Sequence, residues 1–154
     1  MSKVGIMSLF KIQYYRQDEA VQLLKQRWHT NEEGVKRQIV SSPTFTGLPG
    51  PTRFSEKELS SYFTHCTDSP PFITPYFIYE QLNLDKGQLE LVMENNRTQE
   101  RIATFLSDRI SSYDISDFDQ NGLLDLAVFL RNGAMVVFYT QLDEESCRAE
   151  KATR

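Results

Sequence analysis

The sequence predicts an α+β fold: an N-terminal strand, two or three helices, then an antiparallel sheet of about five strands. Three observations lead there. Ala20, Leu23, Leu24 and Trp28 recur at helical spacing behind the acidic pair Asp18 and Glu19. From residue 76 onward, short apolar runs alternate with turn residues, as strands and hairpins do. Residues 124–130 and 134–140 flank Asn132-Gly133, a pair that suits a type I′ hairpin turn.

Each element has its own local reason. The first strand is expected within residues 4–15, where Val4, Ile6, Leu9 and Phe10 precede Lys11. That stretch lacks a small-residue cleavage site, so it reads as a strand and not as a signal peptide. A helix is expected over 17–29, its apolar stripe serving as core. His29 then falls at the helix end, where a cation suits the dipole. All six prolines lie from Pro43 to Pro75, making the middle irregular, with a surface loop at 42–51. Within it Ser55-Glu56-Lys57-Glu58 has capping-box spacing, and Leu59, Tyr62, Phe63 and Cys66 would share one helix face. Strands follow at 76–82 and 89–93 around Asp85-Lys86-Gly87, and at 101–106. The aromatic run Phe72, Tyr76, Phe77 and Tyr79 reads as a strand entering the sheet. Residues 124–130 and 134–140 are apolar on both faces, which places them centrally.

The chain has 154 residues, enough for one domain, set at 1–142 with a charged tail at 143–154. No apolar run reaches the roughly 20 residues needed to span a bilayer, so membrane insertion is not expected. A net charge of −4 and a pI near 5.2 argue against nucleic acid as a partner. Cys66 and Cys147 are too few for a disulfide-built miniprotein or a four-thiolate zinc site. They could pair only in an oxidising compartment. A periplasmic or secreted place is favoured if a leader was removed, and a cytoplasmic one otherwise. His29 and His65 lie at no ligand spacing, and Asn96-Arg97-Thr98 reads as an ordinary turn despite matching a glycosylation sequon. No nucleophile–base arrangement or phosphate-binding glycine loop is legible, so an enzyme is not expected.

The charge is uneven. Residues 108–125 carry Asp108, Asp114, Asp117, Asp119 and Asp125 against Arg109 alone. Within them, Asp117-Phe118-Asp119-Gln120-Asn121-Gly122-Leu123-Leu124-Asp125 places oxygen-bearing side chains at relative positions 1, 3, 5 and 9, with glycine at 6. Calcium takes six to eight oxygens in a flexible shell, and alternate residues of a tight loop can converge on one ion. Asp117, Asp119, Asn121 and Asp125 are the expected side-chain ligands, with the carbonyl of Leu123 as a backbone one. Without a cation, three aspartates so close repel one another.

Residues 117–128 resemble the calcium loop of FG-GAP/VCBS-type, integrin-like repeats, which read D-x-D-x-D-G-x-x-D-hydrophobic. Asn121 stands where an aspartate is usual. The resemblance implies a loop between two strands and a structural Ca2+; the repeats of a propeller are missing, so it does not extend to the fold. An EF-hand would need a bidentate glutamate at position 12, where Val128 stands, and helices on both sides. A haloacid-dehalogenase-type phosphatase would need glycine directly after the second aspartate and more chain beyond it. The expectation is therefore a small calcium-stabilised module that binds another protein, of inhibitor or immunity type. The alternative is a metal-independent cytosolic interaction domain whose acidic loop meets a basic partner.

Overall fold

Apolar side chains on both faces of a strand require cover above and below it, and the fold is arranged around that need. The computed structural model describes residues 10–42, 52–53, 76–95 and 100–141. In chain order these form β1 (Phe10–Tyr15), α1 (Gln17–Arg27), α2 (Glu32–Ser41), β2 (Thr52–Arg53), β3 (Tyr76–Asn83), β4 (Gln88–Asn95), β5 (Glu100–Leu106), β6 (Ile110–Ser116), β7 (Asp125–Leu130) and β8 (Met135–Thr140). They build two four-stranded antiparallel sheets, one ordered β1-β8-β7-β6 and the other β2-β3-β4-β5.

The first sheet is the middle layer. Leu126, Val128 and Leu130 of β7, with Val136 and Phe138 of β8, join Ile78, Leu91, Met93 and Leu106 of the second sheet in one core. The alternate residues Ala127, Phe129, Met135 and Val137 join Ala20 and Leu24 of α1 and Val35 of α2 in another. The period of two along each strand thus feeds two cores, one on either side. Trp28 at the end of α1 packs edge-on against Phe129, ring centres 6.1 Å apart. His29 follows with φ of 51°, exposed, as the chain leaves the helix.

This corrects the α+β expectation. The described chain is mostly β, with two helices against two separate sheets, rather than a helical half followed by one sheet of about five strands. Two physical causes separate the prediction from the fold. The strand β6 reads ISSYDIS, whose serines and aspartate break apolar alternation; Ser112 is buried because its hydroxyl donates to the Ile39 carbonyl at the end of α2, at 3.1 Å. The strand β1 finds its partner at the far end of the chain, pairing Phe10 with Thr140, a contact that no local pattern encodes. The turn after β7 also differs. Gly133 N–H donates to Leu130 carbonyl and only Gly133 takes positive φ, 91°, which is a type I turn closed by a left-handed glycine instead of type I′. A Cβ at Gly133 would also lie 2.7 Å from Gln17 Cγ. The helix expected near 55–66, most of the 42–51 loop, Phe72, His65, both cysteines, the Asn96 triplet and the 143–154 tail lie outside the described residues.

The two sheets are tied where β5 hands over to β6. Glu80 on β3 is 5% exposed; one oxygen pairs with the Arg109 guanidinium at 3.0 Å and the other accepts Ile110 N–H at 3.2 Å. Removing this carboxylate orphans a buried N–H. Glu80→Ala is therefore expected to lower unfolding stability by about 2 kcal/mol in urea titration, whereas a loss below about 0.5 kcal/mol would mean the tie is dispensable.

Candidate functional site

Between Ser116 and Asp125 the chain leaves β6 and re-enters the same sheet as the antiparallel neighbour β7. Asp117 winds the connection. Its two carboxylate oxygens accept N–H groups from Asn121 at 3.2 Å and Gly122 at 2.8 Å. Gly122 sits at φ 90°, where a Cβ would be strained, and Gln120 accepts the same left-handed region at φ 58°. Two apolar residues anchor the turn: Phe118 and Leu123 are each 1% exposed, Phe118 within the helix-side core. Asn121 ties it to the next strand. Its side-chain oxygen accepts Leu123 N–H at 2.9 Å, and its amide donates to the Thr140 carbonyl at 3.0 Å.

Asp125 is the centre of the site. It is fully buried, with one oxygen accepting Phe118 N–H at 2.9 Å and the other accepting Thr140 N–H at 2.7 Å. The Thr140 hydroxyl closes the ring by donating to the Leu124 carbonyl at 2.6 Å. Carboxylate oxygens of Asp117, Asp119 and Asp125 all lie within 4.8 Å of one another. Asp117 is half-buried and Asp119 exposed, so the cluster runs from core to solvent.

The electrostatics follow from this crowding. Burial pushes the Asp125 carboxyl up to about 7; the Thr140 and Phe118 N–H groups oppose the rise, while the charges of Asp119 and Asp117 add to it. Asp114, on β6, is also raised by burial, opposed by its bonds to Ser116 and to the Ile115 backbone. The Tyr139 phenol is pushed up by burial and by its hydrogen bond to Tyr15, with Asp125 and Asp119 adding to the rise.

The fold brings together the three aspartates singled out in the sequence. Asn121 serves as a strap to β8, and Leu123 as a buried anchor. Sequence reasoning missed Thr140, the backbone partner of both Asp125 and Asn121. Its one signal is a threonine closing an otherwise apolar strand. Three hard anionic oxygen donors graded from buried to exposed form a group that could hold a metal ion, which would relieve their mutual repulsion.

The pH dependence has a definite sign. A carboxyl raised above its ordinary value of 3.8 leaves the folded state holding more protons than the unfolded one. Its contribution is then present at low pH and is lost as pH rises from about 4 through about 7. With chelator present, the Asp125 contribution to urea stability is expected to fall across that window. Asp125→Asn should flatten the decline; an unchanged slope in that variant would contradict the assignment. No family model, curated protein or solved structure matches this chain.

Proposed function

We propose that this chain is a calcium-stabilised binding module, acting on another protein in the manner of an inhibitor or immunity protein, with Ca2+ in a structural role. The observation that carries the reading is the convergence of Asp117, Asp119 and Asp125 to within 4.8 Å at the joint between two strands. These carboxylates would hold the ion, with Asn121 and the Leu123 carbonyl as the neutral oxygens. Neutralising the cluster favours the ionised form of Asp125, whose two N–H partners hold the loop to β8. The ion's work is thus to fix the loop and the β7–β8 hairpin behind it. The surrounding surface then meets its partner already ordered, which reduces the entropy lost on binding.

The reading has a direct test in chemical or thermal unfolding with calcium and with chelator. At 100-fold excess over the dissociation constant, calcium is expected to add about 2.7 kcal/mol. Asp119 is exposed and makes no hydrogen bond or ion pair among the described residues, so Asp119→Ala should fold normally and lose that gain. An identical midpoint with calcium and chelator in the natural chain would overturn the metal reading. The loop would then stand as an acidic contact surface for a basic partner.

A further inference from the structure

Beside the acidic loop, on the helix-bearing face of the first sheet, lies an open cleft of about 570 Å3. Lys11, Gln13 and Tyr15 alternate along β1 and so share one face, and Tyr139 stands opposite Lys11 in the β1–β8 register. Asp119 and Asn121 supply the wall from the loop, and the described residues of α1 and α2 contribute none of the lining. The volume lies within the range of small-ligand sites.

We propose that this cleft binds a neutral oligosaccharide. Lys11 and Asp119 face the same space, and no ion pair joins them among the described residues. A ligand carrying net charge of either sign would meet one like charge there. A neutral ligand whose every polar group both donates and accepts meets none, and the hydroxyl is that group. The donor arithmetic agrees. The Tyr15 and Tyr139 hydroxyls share one hydrogen bond at 2.6 Å, which uses one of their two protons. The other proton is free to turn toward a third acceptor. Lys11 adds ammonium donors, and the exposed Asp119 carboxylate accepts from a hydroxyl on the opposite side. Asn121 has both ends of its amide engaged within the protein, so it holds the wall in place. Half-buried tyrosine rings between these groups offer apolar surface to the C–H face of a sugar.

Asp119 is also a proposed ligand of the ion, so the sugar is tested in chelator, where that carboxylate is free to accept and the outcome does not depend on calcium binding. Maltotriose, mannotriose and triacetylchitotriose, each up to tens of millimolar, are titrated into the isotopically labelled full chain while backbone amide resonances are followed. At least one should shift Lys11, Gln13, Asn121 and Tyr139 in a saturable way in chelator, whether or not the chain also binds calcium. Lys11 is exposed, so Lys11→Ala keeps the fold and should weaken that binding about tenfold. The proposal is overturned if none of the three sugars moves these amides, or if a sugar binds equally well to Lys11→Ala.

Discussion

A buried carboxylate at the start of a central strand is the constraint on which the loop, the hairpin and the proposed function all depend. Taking an ionised carboxylate out of water costs several kcal/mol even after relaxation. The Phe118 and Thr140 N–H groups offset part of that, at about 1.5–3 kcal/mol for each bond to a charged acceptor. Burial remains the larger effect, and the neighbouring charges add to it. Asp117 and Asp119 tip the balance toward the protonated acid, and a divalent cation would tip it back.

The position of Asp125 explains why the rest of the chain is arranged as it is. The strand β7 is buried along its whole length because the second sheet covers one face and the helices the other. Its first residue is therefore polar in a place where water does not reach. The loop that precedes it is pinned at three points: Phe118 in the core, Asn121 on the Thr140 carbonyl, and Asp125 on the Thr140 N–H. Because Thr140 also pairs with Phe10, the first strand, the last strand and the acidic loop share one residue. The open cleft beside them is lined by the lysine, glutamine and tyrosine of β1 and by Tyr139 of β8.

Much of the site was legible in the sequence and much of the architecture was not. The spacing of Asp117, Asp119 and Asp125 is a local signal, and alternate residues of a short loop converge without help from distant parts of the chain. The α1 stripe and the β3–β4 and β7–β8 hairpins are local in the same sense. The existence of two sheets is not. It follows from β1 crossing to β8 and from β6, whose Ser112 is buried by a bond to α2 and not by hydrophobicity. Thr140 was hidden for a similar reason, since it acts on the site through backbone groups that every residue carries. Asn132-Gly133 marked its hairpin correctly, yet the turn is one residue longer, with Gly133 closing it at positive φ.

Titration calorimetry of calcium into the full chain, repeated in buffers of different protonation enthalpy near pH 6.5, reads out both the ion and the proton on the buried carboxylate. One ion per chain is expected, with net proton release as Asp125 is forced to ionise. Heat indistinguishable from dilution, or binding with no proton released at that pH, would contradict it.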